Sequence, residues 1–146
     1  MTIYTLDDSG IAAIDYNKLN CYNDAGCART FFRGQAAMEA AKLVYSLAKK
    51  LPKEETYSLS NQMRRAAVSV PSNIAEGHAR SSRNEYQYYL SLARGSATEI
   101  ETQLLLCVNI GYLFDSDISE AMTLLQEVRK MLNAIKKKLA AKEPRV

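Results

Sequence analysis

An all-α four-helix bundle is the fold class this sequence predicts, on two observations. Turn formers are scarce, with six glycines and three prolines, and there are three phenylalanines and no tryptophan, which disfavours a many-stranded β architecture. From about Gln35 onward, apolar residues recur at spacings of three and four in four successive segments, the period of helices that bury one face. At 146 residues the chain has the length of one domain with a real core. Its 47% hydrophobic and 24% charged residues are the balance of a globular protein, not a disordered one.

Residues 1–32 read as a poorly patterned N-terminal extension, with Gly10, Gly26 and scattered Asn and Asp; the bundle spans 33–142, and 143–146 form a tail. The first helix carries Ala37, Ala41, Val44, Ala48 and Leu51 until Pro52 stops it. Lys49 and Lys50 fall in its last turn, where the helix dipole favours cations. The second begins near Ser58 and buries Leu59, Met63, Ala67, Val70 and Ile74. Pro71 lies inside it, and a mid-helix proline costs about 3 kcal/mol, so a kink or break is expected there; Gly77 and His78 end the helix. Ser82 with Glu85 reads as a capping box opening the third helix. Its seam is Tyr86, Leu90, Ala93, Ala97, Ile100, Leu104 and Cys107, and Gly111 is its C-terminal stop. The fourth starts in the acidic turn Asp115, Ser116, Asp117 and runs through Ile118, Met122, Leu125, Val128, Leu132, Ile135 and Leu139.

The third helix is apolar on a second side. At 100° per residue, Tyr88, Leu92, Leu106 and Ile110 fall away from the seam, and Val68, Pro71 and Ala75 flank the core stripe of the second helix. Contiguous exposed apolar surface marks a partner site, and the simplest partner is another copy; the competing reading is that helix angles drift and these residues widen the core. Gly95 should cost about 1 kcal/mol in mid-helix, so close packing is expected there, within the bundle or across a subunit boundary, on a smooth patch with Ala93, Ser96 and Ala97.

Charge and site chemistry narrow the function classes. A net charge of +3 is compatible with a nucleic-acid partner without requiring one. Met1 to Ile14 carries Asp7 and Asp8 and no long apolar run, so no secretory signal is read, and Cys21, Cys27 and Cys107 are expected as reduced thiols in the cytoplasm. Arg94, Glu99 and Glu101 interrupt the longest apolar stretch, which excludes a membrane span. His78 is the sole histidine, leaving no imidazole-rich metal cage; no cofactor, metal or catalytic residue is assigned. Arg65, Ser69, Asn73, Glu76 and Arg80 share a polar stripe whose mixed charge suits ion pairs between subunits, with Glu85, Glu99 or Glu101 as partners. An enzyme reading rests only on Arg65, Asn73, Glu76 and Glu85, without a nucleophile paired to a base. Arg129, Lys130, Lys136 and Lys137 share one side of the fourth helix, ahead of Lys138, Lys142 and Arg145. With Arg80 and Arg83 at the preceding helix turn they are the candidates for nucleic-acid contact, against the alternative of a solvated face.

The run Asn61-Gln-Met-Arg-Arg-Ala-Ala-Val-Ser-Val-Pro-Ser-Asn-Ile-Ala-Glu-Gly77, then Arg80, Glu85, Tyr86, Leu90, Gly95-Ser96, Glu99, Glu101, Leu104, Gly111-Tyr112 and Leu113, resembles the four-helix-bundle family of 23S rRNA intervening-sequence proteins. Val44-Tyr45 and Pro52-Lys53-Glu54 extend the resemblance, which covers roughly Phe32 to Ile135. It implies a left-handed antiparallel up-down bundle assembled into a ring, a homopentamer, without catalytic activity. Relatives encoded beside retroelement reverse transcriptases resemble accessory factors that bind the polymerase and its RNA, so a reverse transcriptase is an implied partner. Gly34 departs from the tryptophan common in the family's first helix, a space that Phe31 or Phe32 could fill. Two functions are therefore carried forward: an oligomeric bundle that binds RNA, DNA or a nucleic-acid enzyme through basic surface, and a protein-binding adaptor or structural ring with no nucleic-acid role. The subunit-interface candidates are Arg65, Val68, Asn73, Ala75, Glu76, Tyr88, Leu92, Gly95, Glu99, Leu106 and Ile110.

Overall fold

The structure is a computed structural model that describes residues 4–6, 12–14 and 25–141, with side chains over 34–141. The chain divides into two compact units, residues 1–32 and 33–146. In the first, β1 (Tyr4–Leu6) pairs antiparallel with β2 (Ala12–Ile14), Tyr4 opposite Ile14 and Leu6 opposite Ala12. Three-residue strands are too short for an alternating pattern to register in the sequence.

Four helices follow: α1 (Ala25–Ala48), α2 (Leu59–His78), α3 (Arg83–Ile110) and α4 (Asp115–Ala141). The first starts well before Gln35; Gly26 and Gly34 lower helix propensity and blur that start in the sequence pattern. Each helix buries a seam with spacings that alternate between three and four. The seams are Ala37, Ala40, Val44 and Leu47 in α1, and Met63, Ala67, Val70, Ile74 and Gly77 in α2. In α3 they are Leu90, Ala93, Ala97, Ile100, Leu104 and Cys107, and in α4 Ile118, Ala121, Leu125, Val128, Leu132 and Ile135. That period is the knobs-into-holes repeat of helices packed side by side. Ala41, Leu59, Tyr86, Met122 and Leu139, expected on the seams, are only half-buried; Ala40 and Ala121 take inner positions in α1 and α4.

Neighbouring helices meet through identifiable pairs. Along α2 and α3, Gly77 lies against Tyr86 and Tyr89, Ser69 Oγ accepts from Ser96 Oγ at 2.8 Å, and Met63 meets Cys107 at 3.8 Å between sulfurs. Along α3 and α4, Ser91 meets Lys136, Arg94 meets Asn133 and Glu101 meets Arg129. In both helix pairs the numbers rise on one helix as they fall on the other.

The turns are fastened by side chains. Lys49 and Lys50 follow the end of α1 instead of occupying its last turn, and Lys50 Nζ donates to Asp117 at 2.9 Å. Ser58 does not cap α2 with its own side chain. The Glu55 carboxylate does so, accepting from Leu59 N at 3.2 Å and from Ser58 Oγ, while its other oxygen accepts from Tyr112 Oη at 3.1 Å. Buried Ser60 donates to the Ala48 carbonyl at 3.1 Å, closing the end of α1. The helix α2 continues through Pro71 without the expected break; the proline removes one backbone donor, while Val70 and Ile74 on either side stay in the core.

At the start of α3, Ser82 Oγ accepts from Glu85 N at 3.5 Å, one arm of the predicted capping box. At its end Gly111 adopts φ 92°, with Gly111 N bonded to Val108 O and Tyr112 N to Cys107 O. That is a Schellman stop, and its left-handed residue favours glycine. Asp117 accepts from Phe114 N at 2.9 Å at the head of α4. These two hydrogen bonds, from Phe114 N first and then Lys50, hold the Asp117 carboxyl below the usual carboxylate range.

Candidate interaction surfaces

Helix α3 presents two seams. Opposite its core seam, Tyr88, Leu92, Gly95, Glu99, Thr102 and Leu106 succeed one another at spacings of four and three, and Ile110 extends the row. Tyr88 is 60% exposed, Leu106 46% and Ile110 49%. The residues predicted to form a second face therefore do not widen the core. Their apolar ends flank a small and polar centre at Gly95, Glu99 and Thr102.

At Gly95 the expected close packing is absent inside the chain. A Cβ there would meet nothing within 4 Å, so its smoothness serves no contact within the bundle. The glycine that does permit close approach is Gly77, read from sequence only as a helix end. A Cβ at Gly77 would lie 2.8 Å from Tyr89 Cβ and 3.0 Å from Tyr86 Cδ2. A Cβ at Gly34 would likewise meet nothing within 4 Å; the side chains of Phe31 and Phe32 lie outside the described residues.

A groove runs between α1 and α2, floored by Met38, Ala41, Tyr45, Val68, Pro71 and Ala75 and edged by Lys42 and Lys49. It continues past Val68 to Asn61, Arg64 and Arg65. Met38 is 50% and Val68 47% exposed. Sequence reading found the α2 half of this surface and missed Met38 and Tyr45, whose seven-residue spacing off the core seam was the available signal.

The polar stripe of α2 is mostly engaged locally. Asn73 Nδ2 donates to Ser69 O at 2.7 Å and to Ser69 Oγ at 2.8 Å, and Ser69 takes the Ser96 hydroxyl. Glu76 pairs with Arg80 one turn on. Arg65 lines a shallow polar cleft with Gln62, Ala66, Ser69, Ser96 and Glu99, and Glu99 accepts from Gln103 Nε2 at 3.1 Å. Of the residues on which an enzyme reading rested, Asn73 and Glu76 are bonded to neighbours, while Arg65 and Glu85 are exposed.

The basic candidates divide into engaged and outward-facing groups. Arg80 donates to Tyr89 Oη at 2.9 Å, lies 5.0 Å from that ring's centre and pairs with Glu76. The Glu76 hydrogen bond first, and then the field of Tyr89, raise its pKa. Arg83 is exposed on the first turn of α3, and the exposed His78 at the end of α2 meets the Tyr86 ring edge-on at 6.1 Å. Arg129 Nη1 donates to Glu101 at 2.7 Å, with the Glu101 side chain only 11% exposed. Glu101 is therefore paired through Oε2 within the chain. Lys136 is half-buried and donates to Ser91 Oγ. Lys130 and Lys137 are exposed on α4; Lys142 and Arg145 lie outside the described residues.

Cys107 is fully buried, and desolvation first, then the Glu55 carboxylate, push its thiol pKa upward, which keeps it a packing residue and not a nucleophile. Among the described residues no three His, Cys, Asp or Glu side chains group as a metal site, and no helix is long and apolar enough to cross a membrane.

The sequence profile of the 23S rRNA-intervening sequence protein family matches residues 34–134. Among solved structures, the bundle is similar to a protein of unknown function from the S23 ribosomal protein family of Bacteroides thetaiotaomicron. The TM-score is 0.68 at 26% identity, covering 74% of this chain and 97% of the other. None of the curated proteins matches this chain.

Proposed function

Since this chain belongs to the 23S rRNA-intervening sequence protein family, we propose that it is a non-catalytic, homo-oligomeric bundle that binds nucleic acid or a nucleic-acid enzyme through basic surface. Its helices run in antiparallel up-down order, a reading supported by the opposed residue numbering of the α2–α3 and α3–α4 contacts, and the left-handed sense follows from the family resemblance. Copies assemble into a pentameric ring in the cytoplasm, and RNA, DNA or a reverse transcriptase is the partner.

One observation carries the assembly. Tyr88, Leu106, Ile110, Met38 and Val68 remain 46–60% exposed although the four core seams are complete, and apolar surface of this extent on a small bundle is stable in water when covered. Lys130 and Lys137 supply the outward cations, and repetition around a ring turns a weak patch into avid binding of a polyanion.

A second reading, a protein-binding adaptor or structural ring, is favoured by the engagement of Arg80, Arg129 and Lys136 within the chain. Size-exclusion chromatography with light scattering, with and without a short mixed-sequence RNA at about 50 mM salt, separates the two. A mass of about five subunits that co-elutes with RNA is expected. An oligomer that ignores RNA selects the adaptor, and a monomer overturns the assembly.

A further inference from the structure

We propose that the second seam of α3 in one copy seats in the α1–α2 groove of another, a head-to-tail contact; this rests on the assembly reading above and specifies its geometry. The two surfaces differ in shape. The α3 row is a single-helix ridge, rotated roughly 140° from the core seam at 100° per residue, whereas the α1–α2 surface is a trough between two helices. Ridges packing into grooves is the general mode of helix association.

Their charges are complementary. The groove is edged by Lys49, by Lys42, which is paired with Glu39, and by Arg64 and Arg65, while the ridge carries Glu99 at its centre and Glu85 beside its start; Glu99 also lines a cleft with Arg65 of its own chain. Symmetry favours the same conclusion. Glu99 stands midway between Tyr88 and Ile110, so a two-fold contact of α3 on α3 centred on this ridge would oppose Glu99 to its own copy, in either chain direction, and would leave the groove uncovered. A ridge-in-groove contact covers both apolar surfaces with one repeated interface and sets acid against base. A repeated contact of that kind closes into a ring when its rotation permits.

The contact is tested by bismaleimide cross-linking of co-expressed, differently tagged full-length chains carrying Cys21→Ser and Cys27→Ser; Cys107 is buried and does not compete. One chain carries Val68→Cys or Ala75→Cys, the other Leu92→Cys, Leu106→Cys or Ile110→Cys, all exposed positions, with helical content checked by circular dichroism and mass by light scattering. Groove-plus-ridge mixtures are expected to yield at least about tenfold more dimer than either chain alone, and a chain carrying both cysteines to yield a ladder. Ridge-only cross-linking, or an intact oligomer with no groove-to-ridge product, overturns this contact and leaves the assembly standing. A monomeric mass overturns both.

Discussion

Arg129 reaches from α4 to the Glu101 carboxylate on α3 at 2.7 Å, while Glu101 Oε1 and Arg129 Nε are buried without a hydrogen-bond partner. The ion pair is thus partly desolvated and incompletely satisfied. Arg129→Ala leaves the carboxylate, 11% exposed, without its cation, at an expected cost of about 1.5–3 kcal/mol. Replacing both residues by methionine restores most of that loss. Urea unfolding of the two variants checks both statements.

The same pairing predicts how the basic face behaves. Lys130→Glu with Lys137→Glu should flatten the slope of log affinity for RNA against log salt by about 2 per subunit, without dissociating the oligomer. Arg129→Ala should leave that slope unchanged once the fold is confirmed, because its charge is already neutralised. Filter binding across a salt series distinguishes them, and equal slopes in all three proteins would remove α4 from the binding surface.

Gly77 and Gly95 should respond oppositely to a methyl group. At Gly77 the new Cβ meets Tyr89 at 2.8 Å, so Gly77→Ala is expected to destabilise by about 1–3 kcal/mol through overpacking. At Gly95 there is open space, and Gly95→Ala should stabilise α3 by up to about 1 kcal/mol through helix propensity. Gly95→Leu is expected to keep the helical content and lower the mass in light scattering, because the proposed contact seats the ridge against another copy there. Thermal unfolding and light scattering read the three variants.

Glu55 joins the α1–α2 turn to Tyr112 beyond α3. The Ser58 hydroxyl, then Leu59 N and Tyr112 Oη, lower the Glu55 carboxyl pKa. A carboxyl with a lower pKa in the folded state contributes stability above its unfolded pKa, and that contribution is lost as pH falls through the folded value. The urea midpoint of Glu55→Gln should therefore lie below that of the parent protein at about pH 7 and converge on it as pH falls through the lowered folded-state pKa. The hydrogen bond to Glu55 also raises the Tyr112 pKa, so the phenol stays a donor throughout this range.

Periodicity in this chain determined the number of helices, the α3 and α4 seams apart from Ala121, the stop at Gly111 and the existence of a second apolar face. Each follows from the 3.6-residue repeat and from local backbone sterics, which a linear sequence carries in full. What lies between helices was decided only when they packed. Gly95 reads in the sequence as the closely packed glycine and Gly77 as a helix end, yet Gly95 faces open space and Gly77 the Tyr86 and Tyr89 side chains. Arg129 and Lys130 look like equal members of a basic face, yet one turns toward a buried carboxylate and the other outward. Pro71 leaves α2 unbroken because the core on both sides holds it. A helical repeat states which side of a helix a residue occupies, and only the neighbouring helix determines what that side meets.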